Sequence, residues 1–283
     1  MDIRILNGEE YELSKALWLE CFPEDGEAFV SRYYSERSKP EFVLGAFRGG
    51  SSEPVSMLHM IPVEMRFGGK AYPVCLVSGV CTKPGFRRRG LCAALFEEAF
   101  PIMRERGFAA TVLQPFRPSF YAKFGYRTFI YRKSVTLSYA RPNCFVRPSE
   151  TIAPDPKRMA ELYASFTARF SGCTVRDESC FEGFIREFSE PEARLVMTEY
   201  GVCAGYVEDG EGNTFRAFEL FYLEGTDPAS LLPAGFEKCV FPLPEGERIP
   251  CGAIAEDEPF SMLMPLSDDF EAGNGPFYGF DRY

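Results

Sequence analysis

A mixed α/β fold, with mixed sheets flanked by helices and set out as two successive modules, is what the 283-residue sequence predicts. Three observations carry it. The first half opens with β-forming runs joined by glycine turns, which read as antiparallel hairpins. Between Leu76 and Leu113 a strand, a basic turn, an amphipathic helix and a second strand follow one another, which is one parallel crossover. After a proline-rich stretch, a similar helix, helix and hairpin pattern starts again.

Leu13, Ala16, Leu17 and Cys21 form a helical stripe over Tyr11 to Cys21, ended by Pro23-Glu24-Asp25-Gly26. Glu27 to Glu36, with Phe29, Val30, Tyr33 and Tyr34, reads as a second helix. Strands follow over Phe42 to Phe47, Val55 to Phe67 and Tyr72 to Cys81, separated by Gly49-Gly50 and Gly68-Gly69, with Pro62 marking a bulge or an edge. A helix is expected from Arg89 to Arg106, kinked or loosened by Pro101 and ended by Gly107. Phe108 to Leu113 is nearly all apolar and predicts a strand buried on both faces. A β-rich run extends from Tyr126 to about Tyr139. These elements assign residues 1–142 to a first module, 143–157 to a linker and 158–283 to a second module. In the second, helices are expected over Arg158 to Phe170 and Cys180 to Phe188, and strands over Arg194 to Thr198, Val202 to Glu208 and Thr214 to Tyr222.

Composition narrows the function classes. The net charge of −10 disfavours nonspecific nucleic-acid binding and anionic membrane surfaces. It suits ordinary solubility and also a cationic small substrate. No long apolar run resembles a membrane span or leader, so a cytoplasmic location is expected. The ten cysteines include no C-x-x-C pair and read as reduced thiols. His59 is the single histidine, which excludes a multi-histidine metal site, and no metal is expected. His59 lies in an apolar strand and reads as a packed or cleft-lining imidazole rather than a catalytic base. Nothing fixes self-association, and a homo-oligomer is left open.

The chemistry concentrates at Val80-Cys81-Thr82-Lys83-Pro84-Gly85-Phe86-Arg87-Arg88-Arg89-Gly90-Leu91-Cys92-Ala93. A strand stops at Pro84-Gly85 and a helix begins soon after the arginines. The first N–H groups of a helix have no intrahelical acceptor and carry partial positive charge, so they attract phosphate. Gly90 lets a phosphate approach the backbone without meeting a Cβ. A pyrophosphate-bearing ligand is the natural occupant; a solvated basic turn is the plain alternative. After Phe218-Glu219-Leu220-Phe221-Tyr222 the second module has Glu224-Gly225-Thr226-Asp227-Pro228 instead of a basic glycine turn, so it cannot hold phosphate in the same way.

Arg87-Arg88-Arg89-Gly90-Leu91-Cys92, between a strand and a helix, resembles the coenzyme A pyrophosphate loop of GNAT-type N-acetyltransferases. Arg87 and Gly90 match that pattern, and Cys92 replaces its small Gly or Ala. Ser119-Phe120-Tyr121-Ala122-Lys123-Phe124-Gly125-Tyr126 resembles the tyrosine segment of the enhanced intracellular survival (Eis) acetyltransferases. The resemblance implies tandem GNAT-like modules, the second degenerate, without the sterol-carrier-like domain that family commonly adds.

It further implies acetyl-CoA as co-substrate and a small, cationic amine as acceptor. The clamp falls to Arg88 to Ala93 with Arg87, and the pantetheine edge to Val80, Cys81 and Thr82, with Phe116 and Arg117 also touching the cofactor. Tyr121 takes the role of general acid, Tyr126 that of packing, and the carboxylate of Tyr283 that of base. A solvent-fed neutral amine, attracted by Glu24, Asp25 or Glu27, is the rival to that base. Cys81 and Cys92 read as small apolar fillers, since direct transfer needs no thiol nucleophile. The competing readings are an aminoacyl transferase with tandem modules and a non-catalytic acyl-CoA-binding module.

Overall fold

Asn7 starts the first helix by a reciprocal cap. Its side chain accepts from the Glu10 N–H, and the Glu10 carboxylate accepts from the Asn7 N–H, both at 3.0 Å. The computed structural model describes residues 1–139, 148–208, 213–273 and 276–278. Strand β1 (Asp2–Ile5) leads into α1 (Gly8–Cys21), then a 3-10 turn at Pro23–Asp25 and helix α2 (Gly26–Glu36). Strands β2 (Val43–Phe47), β3 (Pro54–Phe67) and β4 (Lys70–Thr82) form an antiparallel meander. Pro62 of β3 lies past the end of β2, so its missing N–H leaves no ladder bond unmade there, as an edge position requires.

Helix α3 (Leu91–Glu105) crosses to β5 (Ala110–Leu113), which pairs parallel with β4. The helix begins two residues later than its sequence pattern suggests. Arg88 and Gly90 both hold positive φ, 62° and 78°, so helical dihedrals start only at Leu91. It runs on through Pro101, whose missing donor faces the carbonyl of exposed Glu97. It stops at Gly107 (φ 77°), where the N–H groups of Gly107 and Phe108 bond the carbonyls of Arg104 and Met103. The short helix α4 (Pro118–Ala122) and the long strand β6 (Arg127–Ser138) complete the first half.

The second half contributes α5 (Pro156–Thr167), β7 (Cys173–Thr174), α6 (Glu178–Glu187), β8 (Ala193–Met197), β9 (Gly201–Glu208), β10 (Thr214–Tyr222), β11 (Lys238–Pro244) and β12 (Ile254–Pro265). All strands except β7, which pairs with β3, form one continuous path in the order β1-β2-β3-β4-β5-β12-β6-β11-β10-β9-β8. The last strand of the second half thus lies between β5 and β6 of the first. Among the described residues no helix is long and apolar enough to cross a membrane.

Two cores cover the faces of the first half's sheet. On one face Leu17, Trp18, Val30 and Tyr33 of α1 and α2 pack on Met57, Ile61 and Val112. On the other, Leu95, Phe96, Ala99 and Met103 of α3 pack on Leu58, Met60 and Leu113 with Tyr121 and Tyr126. Burial of each such large side chain stabilises the fold by about 1.5–3 kcal/mol. A third core, built on Phe166, Phe181, Phe215 and Phe221, belongs to the second half.

Candidate active site

The site is built around the open end of β4. Parallel pairing with β5 is confined to Val74–Leu76 against Ala110–Val112, while β4 continues to Thr82. A bulge drives the separation. Met57 faces Cys81 and His59 faces Ser78, so Gly79 and Val80 together oppose Leu58. Gly79 has φ 56°, and a Cβ there would lie 2.4 Å from Trp18 Cζ3 and 3.0 Å from His59 Cδ2. The Lys83 N–H bonds the Val55 carbonyl on β3. By strand alternation the N–H of Thr82, one residue earlier, faces the open side.

The loop to α3 converges on the same opening. Arg87 Nε donates to the Thr82 carbonyl at 3.0 Å, and an Arg89 terminal nitrogen donates to the Gly85 carbonyl at 3.0 Å. Arg89 also sits 5.1 Å from the Phe86 ring centroid. All three arginines are solvent-exposed. No side chain caps α3, and its first turn holds no acidic residue. By contrast Asn7, Asp155 and Asp177 cap α1, α5 and α6. Gly90 has open space where a Cβ would stand. The residues therefore fit a pyrophosphate: free N–H groups at Leu91, Cys92 and Ala93, three cations, and room for the ligand. After β10 the equivalent place is closed, since the Asp227 carboxylate accepts from the Ala229 N–H at 3.0 Å.

Tyr121 sits on the α3 face, 4% exposed, with its ring edge-on to Phe96, Phe116, Phe120 and Tyr126. Among the described residues its hydroxyl has no hydrogen-bond partner. Burial, reinforced by the nearby Cys92 thiol, pushes the phenol's pKa well up and keeps it protonated. Tyr126 instead packs, its hydroxyl bonded to Thr111 Oγ1 at 2.9 Å. Burial pushes the Cys92 thiol up to about 11, so this small residue remains an un-ionised filler. Phe116 is exposed and caps the aromatic group, while Arg117 projects into solvent at the start of α4. The Tyr283 carboxylate lies outside the described residues.

His59 is fully buried. Its Nδ1 lies 3.0 Å from Ser38 Oγ, and burial lowers its pKa to about 3. It is the packed, neutral imidazole that its apolar strand suggests.

On the opposite face of the sheet, a cleft of about 740 Å³ separates the two halves. Glu24, Asp25 and Glu64 from the first half and Glu187, Glu190 and Glu219 from the second line it. Arg32 bonds Glu190 at 2.6 Å, and the almost buried Arg176 bonds Glu219 at 2.9 Å. Burial raises the Glu187 pKa against the pull of Arg32 and Arg37. Asp25 connects cleft to opening: its carboxylate accepts from Trp18 Nε1 at 2.7 Å, and Trp18 covers Gly79. Glu27 does not line the cleft.

Three contributors escaped the sequence pattern. Trp18 reads only as a neighbour of a helical stripe. Gln114 Nε2 and Ser261 Oγ are buried without a hydrogen-bond partner among the described residues. Met262 faces Leu113 across β12 and β5, so Ser261 follows opposite Gln114, at the end of β5 beside the opening.

Residues 2–129 match the acetyltransferase (GNAT) domain family. The chain therefore carries a GNAT domain in its first half and is an acyltransferase. Among curated proteins none matches the sequence. Three solved structures share its fold across both halves. A GCN5-related N-acetyltransferase from Anabaena variabilis is 16% identical with a TM-score of 0.75, covering 94% of this chain and 73% of its own. A conserved protein of Enterococcus faecalis V583 is 17% identical with a TM-score of 0.74, covering 94% and 72%. Eis1 from Mycobacterium abscessus is 17% identical with a TM-score of 0.70, covering 94% and 74%.

Proposed function

We propose that the protein transfers an acetyl group from acetyl-CoA directly to the amine of a small, cationic acceptor. The observation that carries this reading is the meeting of two unsatisfied backbone surfaces: the open edge of β4 and the uncapped start of α3. Acetyl-CoA supplies the activated thioester carbonyl when bound. Leu91, Cys92 and Ala93 hold its pyrophosphate by N–H donors, and Arg87, Arg88 and Arg89 offset its charge. Val80, Cys81 and Thr82 align the pantetheine arm, where an N–H aimed at the carbonyl oxygen stabilises charge as it develops. Phe116 and Arg117 border that arm. Tyr121 delivers its proton to the departing thiolate. A phenol that burial keeps protonated and that no neighbour engages suits that role.

The acceptor reading rests on the cleft. Its lining holds seven carboxylates against three arginines, an excess that favours a cation. Among the described residues Glu24 and Glu64 have no ion-pair partner. The carboxylate of Tyr283 as base belongs to the same proposal.

The test is a panel of amines incubated with acetyl-CoA, read by release of free thiol, with calorimetry of coenzyme A binding. Polyamine-like and aminoglycoside-like acceptors are expected to turn over. Absence of heat with coenzyme A would overturn the reading. Truncating the last few residues tests the Tyr283 assignment, which unaltered turnover would refute.

A further inference from the structure

Where β4 parts from β5, two buried side-chain groups make no hydrogen bond among the described residues: Gln114 Nε2 and Ser261 Oγ. Buried polar atoms nearly always have a partner in a folded protein, so two orphans on neighbouring strands mark a place that a ligand completes. Strand register sets both at one level. The β4–β5 pairing ends with Leu76 against Val112, so Ser78 and Gln114 stand two residues further along, at the apex of the fork. On the other side of β5, Met262 faces Leu113, so Ser261 comes next beside Gln114. The Ser78 hydroxyl is engaged elsewhere, 2.6 Å from the Tyr33 hydroxyl of α2.

Alternation along β5 gives Gln114 its face. Leu113 packs with α3, and Val112 packs with α1 and α2. Gln114 follows Leu113 and so belongs to the α1–α2 face, as Ser78 does. That is the face of the acidic cleft, opposite to Tyr121 and α3. An acyl acceptor seated in the cleft therefore approaches from Gln114's side of the sheet.

We infer that, within the proposed acetyl transfer, Gln114 and Ser261 select acceptors that carry a hydrogen-bond-accepting oxygen, hydroxyl or carbonyl, on a carbon near the reacting amine.

The selection follows from the donor inventory. A carboxamide NH₂ only donates, and an alkylammonium only donates as well. A bare polyamine leaves Gln114 Nε2 unsatisfied and sets donor against donor. An oxygen close to the amine takes one hydrogen bond from Gln114 Nε2 and one from the Ser261 hydroxyl, which holds the neighbouring amine toward the thioester. An acceptor without that oxygen leaves both donors unpaired, and a site built to bond an oxygen rejects the analogue that lacks it. Ser261 belongs to β12, so the second half of the chain supplies part of this selection to the GNAT half.

The test uses the full chain, acetyl-CoA and three diamines: trimethylenediamine, its hydroxyl derivative diaminopropanol, and the carbonyl-bearing diaminopropionamide. Thiol release gives kcat/KM for each. The wild type is expected to favour an oxygen-bearing diamine over the plain one by roughly tenfold or more, and the hydroxyl and carbonyl arms tell which oxygen it takes. An oxygen also lowers the basicity of a neighbouring amine, so the decisive quantity is how this preference changes between proteins. Gln114→Leu and Ser261→Ala should each reduce it by roughly threefold or more. Gln114→Glu, alike in shape but only accepting, should reverse it in favour of the plain diamine. Thermal melts show that each variant is folded, and Gln114→Glu and Ser261→Ala change little packed volume. A preference that all three variants keep would overturn the inference, as would a wild type that uses the plain diamine equally well; the transferase reading stands in both cases. Thiol release from none of the three also overturns the selection. Calorimetry then decides the proposed function separately: heat with coenzyme A keeps it, and no heat ends it.

Discussion

The indole of Trp18 occupies the space that any side chain at residue 79 would need: a Cβ on Gly79 would stand 2.4 Å from its Cζ3. This one contact ties α1 to the bulge that parts β4 from β5. Gly79→Ala is therefore expected to destabilise the fold by about 1–3 kcal/mol, through overpacking and the φ of 56°. It should also weaken coenzyme A binding. Urea unfolding and calorimetry measure the two effects, and wild-type values in both would contradict this account of the bulge.

Tyr121→Phe removes a hydroxyl without changing the ring that Phe96 and Phe116 pack against. Turnover should fall by roughly 10²–10⁴-fold with coenzyme A affinity unchanged. Parallel kinetics and calorimetry separate the two. A variant that loses affinity and keeps its rate would show that the phenol binds rather than donates.

His59 makes stability depend on pH in a direction that can be worked out. Its folded pKa of about 3 lies below the unfolded value of about 6.5, so the neutral ring stabilises the fold above 6.5. Below that pH the unfolded chain takes a proton that the folded chain refuses. Stability should then fall by about 1.4 kcal/mol per pH unit until the folded pKa is reached. Chemical denaturation between pH 7 and pH 4 measures the slope, and His59→Gln should reduce it. The same burial predicts that His59 adds no inflection near neutrality to the pH–rate profile.

The Arg176–Glu219 pair spans the wall of the cleft with both side chains nearly buried. Arg176→Met would strand a carboxylate in the interior and cost about 3–5 kcal/mol. Replacing Glu219 by Leu as well should restore most of the loss. A double-mutant cycle followed by thermal unfolding reads the difference, and equal losses in the single and double variants would contradict the pairing argument.

Ser261 offers a test of opposite sign. A buried hydroxyl with no partner costs about 1–3 kcal/mol, so Ser261→Ala should raise ligand-free stability by about 1 kcal/mol. Urea unfolding measures it. A fall in stability would mean that an ordered water satisfies the hydroxyl.

The parts of the site that were legible in the sequence are those whose chemistry is local. Pro84-Gly85 ends a strand, Gly90 takes a left-handed φ, and the stripe of Leu91, Leu95 and Ala99 needs only a helical period. The strands β11 and β12 were not legible. Pro242 and Pro244 lie within the first and Pro259 within the second, beside the acidic Glu256 to Glu258, which resembles a turn. The pairing that makes β12 a strand is distant in sequence: Lys133 bonds Asp257 at 2.6 Å and Arg132 bonds Glu258 at 3.1 Å, both across from β6. The Gln114–Ser261 neighbourhood and the cleft have the same origin. Each joins segments that no periodicity links.

The place of β12 between β5 and β6 also sets a timetable for biogenesis. A nascent chain leaves the ribosome with β5 bare on one side until residue 265 has emerged. During that interval an unpaired edge is available to any neighbouring polypeptide. Severing the GNAT half from the remainder would make this transient hazard permanent, exchanging an enzyme for a seed of aggregation.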